Sequence, residues 1–137
     1  MAADSNDAQL CYPGLNRMAI ELVLHAAKAD WAFDSAANGR VRRSLQAKHD
    51  TDPDFWSSAD LINFSMFEAL ASRTLAENGA LLADAFAELH RRVSKPGDWG
   101  SVADQAVFVF GAFLQGASKA EGGAAQALQD QLQRYAG

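Results

Sequence analysis

Between Phe64 and Val93 the apolar residues Phe64, Phe67, Ala71, Leu75, Leu82, Phe86, Leu89 and Val93 follow one another at intervals of three, four or seven residues. That spacing keeps them on one face of a helix of period 3.6 and excludes a strand, whose faces alternate every second residue. The stretch opens with Asp52-Pro53-Asp54-Phe55-Trp56-Ser57-Ser58. There Pro suits a first helical turn, and carboxylates and hydroxyls can accept from the unpaired amides of a helix start. It closes with His90, Arg91 and Arg92 against the negative end of the helix dipole, and then Lys95-Pro96-Gly97, which cannot continue a helix. One weak point lies inside, the turn-favouring pair Asn78-Gly79. A break there makes a helical hairpin. Because the apolar seam resumes in phase after Gly79, the pattern predicts instead one long central helix over 57–93, roughly 54 Å at about 1.5 Å per residue.

The same reading extends to both sides. Pro13-Gly14 opens a first helix, near 15–48, with Met18, Leu22, Ala26, Ala29, Phe33 and Ala36 on one face and Arg17, Glu21, Lys28 and Ser35 on the other. Asn38-Gly39 ends or kinks it before the basic segment Arg40 to His49. Asp30 and Asp34 intrude into its apolar arc near Val23 and Ala27, so either an arginine of another helix pairs them or that side faces water. Asp98-Trp99-Gly100-Ser101 caps a third helix, near 101–118. Val102, Ala106, Val109 and Phe113 form its buried face, and Val107, Phe110 and Leu114 widen it. Gly122-Gly123 reads as a break, followed by a short helix near 124–135 with Leu128, Leu132 and Tyr135 inward. No period-2 segment survives. The expected fold is an all-α helical bundle of about four main helices, with residues 1–12 a flexible N-terminal arm and 13–137 a single domain. A faint repeat also runs through the chain: Trp56, Ser58, Ala59, Asp60 and Phe64 match Trp99, Ser101, Ala103, Asp104 and Phe108 with one insertion.

Composition narrows the function. With 49% hydrophobic residues in 137, the chain can bury a core. Its 17 acidic and 12 basic residues leave a net charge of −5, which opposes general binding to nucleic acid or anionic membrane. Cys11 has no partner for a disulfide, the start lacks the features of a signal peptide, and no apolar run is long enough to span a bilayer. A cytoplasmic location is expected. The apolar side of a long central helix needs more cover than the other helices supply, which predicts a homodimer.

Candidate chemistry is sparse. Asp50-Thr51-Asp52-Pro53-Asp54 alternates carboxylates as a calcium loop does, but Phe55 stands where that loop needs Gly and Leu61 where it needs Glu, so helix capping explains it. No pair of ligands has metal-binding helical spacing, and there is no nucleophile motif, phosphate loop or dinucleotide fingerprint. Neither catalysis nor a cofactor is expected. The basic clusters Arg40, Arg42, Arg43, Lys48 and Arg91, Arg92, Lys95 sit at helix ends and complement helix dipoles. His25, Lys28 and Ala29 resemble the His-x-x-Lys-Gly phosphoacceptor helix of histidine phosphotransfer domains. The resemblance implies an alternative function in which His25 accepts a phosphoryl group and Lys28 neutralises it. Ala29, where that family has Gly, and Asp30, a carboxylate beside the incoming anion, depart from the pattern.

From about Phe33 to Val93, the basic helix end Arg42-Arg43-Ser44-Leu45-Gln46-Ala47-Lys48, the acidic linker Asp50 to Asp54 and the long helix rich in Ala, Leu and Phe resemble the phasin family, coat proteins of polyhydroxyalkanoate granules. The resemblance implies self-association, adsorption to an apolar surface and no catalytic residues. Phe64-Ser65-Met66-Phe67 and the Trp-rich caps depart from it. The function expected is thus that of a non-enzymatic helical interaction protein binding a partner or an apolar surface. Its candidate binding residues are Phe108, which projects from a polar helix side beside Asp104 and Gln115, together with Phe64 and Phe67. A small-molecule binder with its site in the bundle core is the remaining alternative.

Overall fold

The computed structural model describes residues 11–25 and 31–137. Six helices make up the fold among these residues: α1 (Cys11–His25), α2 (Ser35–Thr51), α3 (Phe55–Ser72), α4 (Leu75–Arg92), α5 (Pro96–Phe113) and α6 (Lys119–Ala136). The all-α architecture is as the periodicity predicts. The division into helices is finer, and the expected long rods do not form. Most of the arm expected over 1–12 lies outside the described residues, as do Ala26, Lys28, Ala29 and Asp30.

The central helix divides at Arg73, not at Asn78-Gly79. Arg73 adopts the left-handed conformation (φ 59°, ψ 40°) and is the only described non-glycine residue with positive φ. Its amide donates to the Leu70 carbonyl and that of Thr74 donates to Ala69 O at 2.9 Å, the paired closure of a Schellman motif with Arg where Gly is usual. Asn78-Gly79 falls inside α4, where Asn78 Nδ2 donates to the Thr74 carbonyl and thus supports the new helix start. Asn38-Gly39 and Gly122-Gly123 likewise lie within α2 and α6. These dipeptides are permissive rather than obligatory turns. None of the four glycines or asparagines just before them is needed for a reversal, because the reversals are fixed elsewhere by caps.

Those caps are specific. Asp34, expected to trouble a helix interior, is the N-cap of α2 and accepts from Ala36 N at 2.9 Å and Ala37 N at 3.2 Å. Asp54 caps α3, accepting from Ser57 N at 2.7 Å while the Asp54 amide donates to Ser57 Oγ at 3.0 Å, a reciprocal capping box. The acidic linker therefore does the work that capping predicts. Pro96 opens α5 at its first position, five residues ahead of the expected start, because its missing N–H costs nothing there. Thr74 provides no side-chain cap for α4. Glu121 of α6 replaces it, accepting from Leu75 N at 3.0 Å and from Ala76 N. A buried carboxylate from a helix far along the chain thus neutralises the positive end of α4.

The helices pack as two linked hairpins with α1 and α2 added. α6 lies against α5 and α4, α3 against α4, α2 and α1, and α1 also reaches α5. Gly14 lets α1 approach α2 closely, since a Cβ there would stand 2.7 Å from Val41 Cγ2. At one end four helix termini converge on Trp99, whose ring meets Phe55, Phe86, His90 and Tyr135 edge-on at centroid distances of 5.1, 6.2, 5.6 and 4.9 Å. Its Nε1 donates to Val93 O at 2.7 Å, so the indole is satisfied although wholly buried. The seam residues Phe64, Phe67, Leu75, Leu82, Phe86 and Leu89 are all buried within the chain. Folding the rod back at Arg73 provides from within the cover that a rod would have required from a second copy.

Candidate functional site

The division at Arg73 opens a recess between α3 and α4. With α4 turned back beside α3, and α2 crossing α3 on its other side, a groove of about 890 Å³ opens among the three helices. Its floor along α3 is made of small side chains, Ser65, Ala69, Ala71 and Ser72, and its apolar walls are Phe33, Leu61, Ile62 and Leu81. Leu81 is 70% exposed, more than any other large hydrophobic residue described. An exposed apolar side chain thus borders a concave surface.

A polar strip crosses this groove. Arg42 of α2 reaches over to Glu68 of α3, Nη2 to Oε1 at 2.9 Å, while its guanidinium sits 4.9 Å from the centre of the Phe64 ring. The pair is solvent-exposed and so contributes little to stability, about 0–1 kcal/mol. Its consequence is to hold Arg42 flat along the rim. Buried Asn38, with Ser72, Thr74 and Asn78, continues the polar strip, and the Ser72 and Thr74 hydroxyls are 2.8 Å apart. The groove thus offers apolar walls, a close-approach floor and a few oriented donors and acceptors.

The residues singled out by sequence scatter relative to it. Phe64 and Phe67 are core residues and present no surface to a partner. Phe108 is 53% exposed, on the outer face of α5, and Val107 beside it is also exposed. His25 stands at the end of α1 with its ring stacked on Trp31 (centroids 4.9 Å apart) and its Nδ1 buried without a hydrogen-bond partner. Lys28, its proposed companion, lies outside the described residues. The structure does not bring His25, Phe108 and the groove together. Among the described residues no three His, Cys, Asp or Glu side chains cluster as metal ligands, and no helix is long and apolar enough to cross a membrane.

Periodicity missed the groove because its wall residues Leu61, Ile62 and Leu81 fall outside the seam, and the seam itself reads as one continuous helix. A signal was present in Ser72 and Thr74, two polar residues of modest helix propensity in the middle of that seam. No protein-family model matches the chain, and neither a curated protein sequence nor a solved structure does.

Proposed function

We propose that this protein is a non-enzymatic helical interaction protein whose α2–α3–α4 groove receives an amphipathic helix of a partner. The observation that carries the reading is the combination of exposed Leu81 with a floor of Ser65, Ala69 and Ser72 in an open groove. Small residues at intervals of three and four let a second helix backbone approach closely, and flanking Leu, Ile and Phe side chains embrace its apolar face. The lining of α3 runs from Leu61 to Ser72, roughly 17 Å at about 1.5 Å per residue, which suits three turns of an incoming helix.

Self-association belongs to the same reading. It would use the outward apolar residues Ile20 and Leu24 of α1 and Val107 and Phe108 of α5 rather than the buried seam. The adsorption to apolar surfaces implied by the phasin resemblance would fall to the same exposed residues. Sedimentation of wild type and Phe108→Ser at high micromolar concentration tests this part, with a smaller species expected for the variant.

The groove is tested by fluorescence anisotropy with a synthetic amphipathic peptide of Leu, Ala and Lys. Leu81→Asp puts a charge on the wall and Ser65→Trp fills the floor; both positions are exposed, so the fold is retained. Each is expected to weaken binding by about tenfold or more, equivalent to about 1.4 kcal/mol. Wild-type affinity in both variants would remove the groove as the site.

A further inference from the structure

A second recess, of about 130 Å³, lies among α1, α3 and α5, lined by Asn16, Trp56, Asp60, Asn63, Ser101 and Gln105 together with apolar side chains. Asp60 is its unusual member. The residue is only 9% exposed, and its Oδ2 is buried without a hydrogen-bond partner. No described cation forms an ion pair with it. Lys48 of α2 acts on it favourably only from a distance, and Asp54 unfavourably. A carboxylate taken out of water with nothing donating to it is costly, and buried carboxylates are ordinarily paired or hydrogen-bonded.

The surroundings specify what would satisfy it. Asn16, Asn63 and Gln105 bring side-chain amides and Ser101 a hydroxyl, groups that can each donate or accept, around Asp60 as the one charged side chain of the lining. Because Asp60 Oδ2 accepts from none of them, a ligand that donates and carries positive charge would satisfy it. One carboxylate matches a single positive charge, whereas calcium takes six to eight oxygens, commonly from several carboxylates. Trp56 at the mouth offers an indole face, which attracts an organic cation. At about 30 Å³ per water the volume equals roughly four water molecules, enough for an ammonium group carrying a short carbon chain.

We propose that this recess binds a small monovalent organic cation, a primary ammonium whose N–H groups meet the Asp60 carboxylate and the amide oxygens of Asn63 and Gln105. The site is separate from the α2–α3–α4 groove and does not depend on what that groove binds.

Thermal unfolding in ethylammonium chloride, set against sodium chloride at the same ionic strength, tests the assignment. Wild type is expected to show a saturable rise in Tm with ethylammonium alone, as a ligand of the folded state requires. Asp60→Asn keeps the shape and removes the charge, so the variant folds and is expected to lose the rise. In NMR spectra the indole N–H signal of Trp56 is expected to move with ethylammonium while that of buried Trp99 stays. Equal rises in both salts would overturn the organic assignment. No rise at all, or a rise that persists in Asp60→Asn, would overturn the site.

Discussion

The starts of α3 and α5 carry nearly the same residues and use them in opposite ways. Trp56 is 38% exposed whereas Trp99 is 0% exposed, and Phe64 is 1% exposed whereas Phe108 is 53% exposed. Asp60 is buried and Asp104 is exposed. The single inserted residue turns Phe108 away from Trp99 by about 100° more than Phe64 is turned from Trp56. Eight residues separate Trp56 from Phe64 and nine separate Trp99 from Phe108. At about 100° per residue the first pair lies roughly 80° apart around the helix and the second roughly 180° apart. Once Trp99 is turned into the cluster of helix ends, Phe108 must point out. Composition repeated along a chain therefore does not repeat a structural role unless the phase repeats with it.

Substitutions at the matched positions can break this contrast. The largest effect is expected at the tryptophans. Trp99→Ala removes the indole that touches four other rings and its bond to Val93 O, and should cost about 3–5 kcal/mol, against less than about 1 kcal/mol for Trp56→Ala. Urea unfolding at equilibrium measures both, and equal losses would contradict the opposed phases. Next come the phenylalanines: Phe64→Ala is expected to destabilise by about 3–4 kcal/mol and Phe108→Ala by about 0.5 kcal/mol or less.

The aspartates sharpen the contrast through pH. Burial raises the Asp60 carboxyl from 3.8 to about 6, with Lys48 opposing and Asp54 adding to the rise. A carboxyl raised in the folded state penalises the fold when ionised. That penalty is absent below about pH 4, grows between about pH 4 and pH 6, and is full above. Asp60→Asn should therefore be more stable than wild type at pH 7, by about 1–2 kcal/mol after allowing for partial solvent access, and indistinguishable below about pH 4. Asp104→Asn, at an exposed position, should change stability at pH 7 by less than about 0.5 kcal/mol. Thermal melts of the three proteins across that range, in sodium chloride, decide it.

The smallest effect concerns how the two helices begin. Asp54→Ala removes a capping box and should cost about 1 kcal/mol. The carboxyl of Asp54 is held below its ordinary range, chiefly by the Ser57 amide, so this contribution is present above about pH 4 and fades as the group is protonated. Lys95 offers α5 no side-chain cap, and Lys95→Ala should change stability by only about 0.3 kcal/mol. Chemical denaturation at pH 7 measures the difference.

The groove was only partly legible beforehand. Leu61, Ile62, Leu81 and Leu82 were readable as apolar positions on helices, but the local cue to a reversal, Asn78-Gly79, stands five residues beyond the actual turn at Arg73. The left-handed turn at Arg73 carries no glycine to announce it, and Asn78-Gly79, which does suggest a turn, is absorbed into α4 because Asn78 bonds to Thr74. The cap that fixes the start of α4 comes from Glu121, a residue 46 positions beyond Leu75. No window of local sequence contains both. Asp60 was noticed only as part of a repeat, since its isolation depends on α1 and α5 closing over it.

By itself the sequence determined the helical class and most inward residues of α1, α3, α4, α5 and α6, though not those of α2, and Val107, read as inward, is exposed. Period and side-chain type act within a few turns. Those preferences are local and survive in any arrangement of the helices. Tertiary structure decided where the seam divides, which aromatic ring of each matched pair is covered, and that a groove and a recess beside Asp60 exist at all. Each of these depends on contacts between residues distant in sequence, such as Glu121 with Leu75 or Gly14 with Val41, whose free energy appears only when the helices meet.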